Sequence, residues 1–128
     1  MTIYGRALDA YAATMKRFGT VLYLLALTDC GSLERQKRSY FMDKIEATAK
    51  LPKGWEGISN YHRYYAYSPS ENGQKSVEAQ FVLNERPGRE WVEYEDLPIG
   101  IDAGCTVISV TFDVASDRVA SALCNGTP

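Results

Sequence analysis

The chain has 128 residues, enough for one domain, and its 45% hydrophobic and 23% charged content is that of an ordinary globular protein. A net charge of −2, from 14 basic and 16 acidic residues, leaves no basic surplus of the kind that nucleic-acid binding uses. Three cysteines without a CxxC pair, and the single histidine His62, do not compose a zinc site.

Residues 1–14 read neither as a charged leader nor as a domain; they either precede the true start at Met15 or extend the next helix backwards. From Met15 to Ser32 the chain reads MKRFGTVLYLLALTDCGS. Two cations, Lys16 and Arg17, precede an uncharged and mostly apolar run from Phe18 to Thr28, then Cys30 with the small residues Gly31 and Ser32. A positive segment, a short apolar segment and a processing site make an export signal. The run falls short of the about 20 apolar residues that span a bilayer. The stretch resembles a bacterial lipoprotein signal, with Leu27-Thr28-Asp29-Cys30 as its lipobox. That resemblance implies removal of residues 1–29 and acylation of Cys30. With no acidic residue at Gly31 or Ser32, it also implies the periplasmic face of the outer membrane. Asp29 departs from the pattern, which has a small neutral residue before the cysteine. Ala26 and Thr28 offer an ordinary signal peptidase a cut before Asp29. An uncleaved anchor and a buried helix of a cytosolic protein are the other readings. Residues 1–29 hold Arg6, Lys16, Arg17, Asp9 and Asp29, so the remainder carries 11 basic and 14 acidic residues, a net of −3.

From Ser32 to Leu51 the spacing predicts a helix, with Ser32 as N-cap and no Gly or Pro inside. Phe41, Ile45, Thr48 and Ala49, with Met42 beside them, form one apolar stripe, and Arg35, Lys37, Arg38, Asp43 and Lys44 cover the other faces. Leu51-Pro52-Lys53-Gly54 ends it, because a residue before proline avoids the helical region and Gly54 permits a turn. One stripe means one docked face, most simply on a sheet.

Ile58 to Ser68 and Lys75 to Asn84 are rich in strand formers and flank Asn72-Gly73, a strong hairpin signal. A tight turn there pairs Tyr64 with Phe81, Ala66 with Ala79 and His62 with Leu83, and makes that face the core. Tyr61, Arg63, Tyr65 and Tyr67 then share the outer face with Glu78 and Gln80. Pro87-Gly88 is a turn signal, and Glu90 to Tyr94 reads as a short strand before an irregular stretch to Gly104. Cys105 to Asp113 is an evident strand, and Arg118 to Asn125 is its partner; a short helix over 117–124 competes for the latter. Pairing about Val114-Ala115, opened into a loop from Asp113 to Ser116, sets Cys105 opposite Cys124, Thr106 opposite Leu123, Ile108 opposite Ser121 and Val110 opposite Val119. Ile108, Val110, Val119 and Leu123 then face the core, and both cysteines face away from it. A Cys105–Cys124 disulfide follows, which belongs to an oxidising compartment.

The fold expected for residues 30–128 is a single α+β domain, one N-terminal helix on a four- or five-stranded, mainly antiparallel sheet; a cystatin-like wrap is one form of it.

The residues offer little catalytic grammar. His62 has no Ser or Cys nucleophile placed beside it in sequence. Glu90, Glu93, Glu95, Asp96 and Asp102 are dense but lack the EF-hand spacing, and Gly100 to Gly104 lacks the Lys and Ser/Thr of a phosphate loop. Tyr61, Arg63, Tyr65 and Tyr67 form the candidate binding surface, since Tyr and Arg supply rigid contact area with polar handles. The competing reading makes them a second, smaller core under residues 85–104, with Trp91 and Tyr94 packed on it. Leu97-Pro98, Asp102-Ala-Gly-Cys105 and Cys124-Asn-Gly126 resemble small envelope proteins of Gram-negative bacteria, a resemblance of the last third that implies no activity.

The expectation is an exported, lipid-anchored envelope protein acting as a non-catalytic binding or structural module. It has no cofactor, metal or nucleic-acid partner, and an envelope protein is a candidate partner. The alternative is a small periplasmic enzyme using His62 and the acidic loop 90–102.

Overall fold

The computed structural model describes residues 30–69, 72–73 and 75–126. The chain divides into two compact units, Met1–Lys37 and Arg38–Pro128. Of the first, residues 30–37 are described; they are helical, and Cys30, Leu33 and Lys37 are exposed. The expected signal over 1–29 lies outside the described residues. Because helix already includes Cys30 and Gly31, Ser32 is an interior position and not the N-cap.

In the second unit the same helix, α1, runs on to residue 48. It stops two residues short of Leu51-Pro52, as the restriction before proline requires, and Gly54 turns the chain at φ +90°. Ile45 is fully buried, and Phe41, Met42 and Ala49 pack around it against the sheet. Thr48 departs from the expected stripe: it is exposed, and its hydroxyl donates back to the Lys44 carbonyl at 2.6 Å.

Five strands follow: β1 (His62–Tyr67), β2 (Ser76–Val82), β3 (Gly88–Trp91), β4 (Gly104–Asp113) and β5 (Arg118–Asn125). They form one sheet in the order β3-β1-β2-β4-β5, antiparallel except for the parallel β1–β3 edge. One helix on a five-stranded, mostly antiparallel sheet is an α+β fold, as the sequence implied.

The β1–β2 register differs from the expected one by a single residue. His62 pairs with Val82, Arg63 with Phe81, Tyr65 with Ala79 and Tyr67 with Val77. The ladder closes at Ser68, whose N–H donates to the Ser76 carbonyl at 2.9 Å, so an odd-numbered loop over 69–75 replaces the two-residue turn. A one-residue slip exchanges the faces. Tyr61 and Tyr65 therefore join Val77, Ala79 and Phe81 in the core under α1, with Ile108, Val110 and Phe112 of β4. Fully burying each such large side chain contributes roughly 1.5–3 kcal/mol.

The last hairpin is a strand pair, as expected, and not a helix over 117–124. Its register also differs: Ile108 faces Cys124, Val110 faces Ala122 and Phe112 faces Val119, with shifts between Gly104 and Ile108 and between Thr111 and Phe112. Leu123 consequently points outward, 63% exposed, while Cys124 packs on the core, the reverse of the expectation. The turn lies over 114–117. Asp113 accepts the Ser116 hydroxyl at 2.6 Å and the Ala115 N–H at 3.1 Å, and these bonds, that of Ser116 first, hold its carboxyl below the usual range. Cys105 and Cys124 form the expected disulfide across 4.5 Å between their Cα atoms. They meet through the irregular stretch of the ladder and not as a directly opposed pair.

Candidate functional site

The residues expected to form a binding surface are largely interior. Tyr61 is fully buried, and its hydroxyl donates to the Cys105 carbonyl at 2.9 Å and accepts the Glu56 N–H at 3.1 Å. Tyr65 lies between Phe81 and Trp91, stacking on Trp91 at 6.5 Å between centroids, and donates to Glu46 at 2.7 Å. Burial first, and the Glu46 carboxylate second, push its phenol far above the ordinary value. Tyr67 meets Trp91 edge-on at 4.8 Å. Arg63 donates to the Ile58 carbonyl at 2.8 Å and has its Nε 3.0 Å from Glu46, an ion pair whose geometry does not make a directed hydrogen bond. Asp43 and Glu46 of α1 also receive Arg89 of β3 at 2.7 and 3.5 Å. The tyrosine cluster thus fastens helix to sheet. The correction comes from register alone: the residue types were right for contact, but the contact is internal.

His62 faces the other side of the sheet. To place β3 outside β1, the chain must carry residues 83–87 around the start of β1, and His62 sits at that crossing. Its Nδ1 lies 2.8 Å from the Arg86 carbonyl and its Nε2 3.2 Å from Glu90. Gly88 lies close over the ring, where an added Cβ would be 3.4 Å from Cε1. Beside it, the Tyr64 hydroxyl donates to Glu85; that bond, burial and the nearby charge of Glu85 push the phenol up to about 12. The acidic residues of 90–102 do not converge. Glu90 belongs to β3, Glu93 caps the 3-10 turn Tyr94–Asp96 that holds Glu95 and Asp96, and Asp102 lies against Gly126. Among the described residues no three His, Cys, Asp or Glu side chains come together as metal ligands.

The arrangement that does concentrate polar groups lies on the helix-free face of β2 and β4. Successive cross-strand pairs Ser76–Asp113, Glu78–Thr111 and Gln80–Ser109 form a row there. Thr111 donates to Glu78 at 2.8 Å, and burial raises the Glu78 carboxyl above its ordinary value against the opposing pull of the Thr111 and Ser76 hydroxyls. The Ser109 hydroxyl has two acceptors in reach, Gln80 Oε1 at 2.9 Å and Asn125 Oδ1 at 2.7 Å.

Over this row passes the segment 92–103, because β3 and β4 lie on opposite sides of the β1–β2 pair and the chain between them has to cross. Gly100 makes the landing: a Cβ there would stand 2.8 Å from Val107 Cβ and 3.0 Å from Asn125 Nδ2. Tyr94, 41% exposed, stands between two open clefts. One, of about 390 Å³, has Glu78, Gln80, Ser109 and Asn125 as floor and Leu97, Pro98 and Ile99 as rim. The other, of about 670 Å³, extends past Thr111 to Ser68, Asn72 and Lys75. A third, of about 530 Å³, runs between β5 and the Lys44–Thr48 end of α1, with Lys50 just beyond it. His62 lines none of these three.

Sequence reasoning put Glu78 and Gln80 outward but drew no site from them. The usable signal was the shared alternation of β2 and β4, which sets Ser76, Glu78 and Gln80 beside Ser109, Thr111 and Asp113. Cys30 is an exposed free thiol. No helix among the described residues is long and apolar enough to cross a membrane. Compared with protein-family models, curated proteins and solved structures, the chain matches none.

Proposed function

We propose that the chain is an exported envelope protein, anchored by lipid at Cys30 on the periplasmic face of the outer membrane, that serves as a non-catalytic binding module. The observation that carries the binding reading is the polar row of β2 and β4 beneath the 92–103 crossing, flanked by two clefts. The Cys105–Cys124 disulfide supports the compartment, since such bonds persist in oxidising surroundings and are rare in the cytosol. The exposed Cys30 thiol stands at the position that the signal-like stretch marks for acylation. An envelope protein remains the candidate macromolecular partner.

A second reading, a small periplasmic enzyme, draws on the 3.2 Å approach of His62 to Glu90. Both nitrogens of that ring are engaged in holding the 83–90 crossing, which favours a structural part for it. The test is expression of the full chain in a Gram-negative host, followed by fractionation and intact mass. The expected product begins at Cys30, carries acyl chains and sediments with outer membrane. A product beginning at Asp29, or an uncleaved chain, overturns the anchor.

A further inference from the structure

We infer that the cleft pair flanking Tyr94 binds a neutral oligosaccharide, lying along the β2–β4 row with a ring stacked on Tyr94. The inference rests on the reading of this face as a binding site and names its ligand.

The charge of the floor sets the first constraint. Glu78 and Glu95 line the smaller cleft with no Lys or Arg among its lining residues, which disfavours phosphates and acidic glycans. Lys75 and Asp113 offset one another in the larger cleft.

Hydrogen-bond chemistry sets the second. An ammonium ligand offers donors only, whereas the inner floor is mostly hydroxyl and amide, groups that both donate and accept. Ser109 has one hydroxyl proton for two acceptors, Gln80 Oε1 and Asn125 Oδ1, and Asn125 Nδ2 reaches Gln80 Oε1 at 3.4 Å, but each of these carbonyl oxygens carries two lone pairs, so capacity remains for a donor from the cleft. That cluster uses the Oε1 of Gln80 and not its Nε2 donors. A sugar hydroxyl is both donor and acceptor and can meet each need. Successive outward side chains on a strand lie about 7 Å apart, so a chain of linked rings meets one cross-strand pair after another.

The third constraint is the aromatic. Tyr94 presents a flat, amphipathic ring at the junction of the two clefts, and the C–H face of a pyranose is its natural complement. Leu97, Pro98 and Ile99 add an apolar rim, giving the mix of apolar wall and few placed polar groups that small-molecule sites show.

The experiment titrates the folded, disulfide-intact full chain, by calorimetry and by amide chemical shifts, with cellotetraose, N-acetylglucosamine tetramer, polygalacturonate and spermidine up to about 10 mM, a range that detects binding with Kd up to about 10 mM. Saturable binding of either neutral tetramer, with shifts on β2, β4 and 94–100, is the expected result; which tetramer binds separates N-acetylated from plain glycans. Tyr94→Ala, at an exposed position, and Gln80→Ala are each expected to weaken binding about tenfold, with unchanged circular dichroism as control. No binding of either neutral tetramer overturns the inference. So does preference for spermidine or polygalacturonate, or binding that both variants leave unchanged. Correct processing and acylation at Cys30 alongside a negative titration would sink the ligand and leave the anchored envelope module standing.

Discussion

Tyr64 and Tyr65 are adjacent, chemically identical and assigned to opposite faces by a register that differs by one residue, so their truncation measures that register. In the structure Tyr65 is fully buried, packs on Phe81 and Trp91, and gives its hydroxyl proton to Glu46. Removing a buried aromatic ring costs roughly 3–5 kcal/mol through lost transfer energy and the cavity left behind. Tyr65→Phe removes only the hydroxyl, and a hydrogen bond to a charged group is worth about 1.5–3 kcal/mol; Glu46 keeps Arg63 and Arg89, which holds this variant to the lower end. Tyr64 rests against His62 at 4.5 Å on the outer face, where truncation costs up to about 1 kcal/mol. Urea melts of Tyr64→Ala, Tyr65→Ala and Tyr65→Phe, followed by circular dichroism, give the three values. The expected order of loss is Tyr65→Ala, then Tyr65→Phe, then Tyr64→Ala. Should Tyr65→Ala be too unstable to melt, the Phe variant preserves the comparison. A Tyr64→Ala loss equal to or above that of Tyr65→Ala refutes the register and restores the outer tyrosine surface.

The Cys105–Cys124 bond closes a 19-residue separation, and losing it should cost about 3 kcal/mol; melts of Cys105→Ser, Cys124→Ser and the double variant are expected to agree, and additive losses would show two independent thiols. Gly100→Ala drives a Cβ to 2.8 Å from Val107 and is expected to lose about 1–3 kcal/mol. Gly88→Ala meets His62 at 3.4 Å and should be near neutral, so equal melting of the two variants would deny the close landing of the crossing. Glu78 has its carboxyl raised by burial, so the native state holds that proton more tightly than the unfolded chain, and stability falls as pH rises from the ordinary Glu range through the raised value. Glu78→Gln should remove that part of the pH profile without loss of stability at neutral pH, and an unchanged profile counts against the burial.

The helix was legible because Phe41, Ile45 and Ala49 repeat at helical spacing over a stretch without Gly or Pro, and Pro52 fixes its end within a turn. The strands were legible from alternation, Val77-Ala79-Phe81 and Ile108-Val110-Phe112 above all. Register was not, because alternation fixes which residues of one strand share a face but not the parity of the loop that joins it to the next. Asn72-Gly73 implied an even loop; the chain uses 69–75, and every side chain of β1 changed sides relative to β2. The same limit applied to β5, where two ladder irregularities carried Cys124 inward while keeping the disulfide. β3 was hardest to place, since a four-residue strand pairing in parallel leaves no hairpin signal. The candidate site was half legible: Glu78 and Gln80 were outward from the start, but Tyr94 reaches them only through a crossing imposed by strand order.

That crossing explains the distribution of outward residues. At the start of β4, where Gly100 lands, the outward β2–β4 pair is apolar, Val82 opposite Val107. Ala66 of β1, also on this face, is fully buried. Further along the same two strands the outward pairs become polar, Gln80–Ser109, Glu78–Thr111 and Ser76–Asp113. If a second apolar layer were meant to cover the whole face, the inner strands would read as continuous hydrophobic runs, as doubly covered strands do. They do so only where the chain itself supplies the cover. Where the crossing leaves open clefts, the side chains are those that bind water well and can exchange it for a polar ligand at small cost, provided the ligand restores each hydrogen bond. The polar row is therefore the part of this face that the 92–103 crossing covers only in part, and it is there that the proposed ligand would lie.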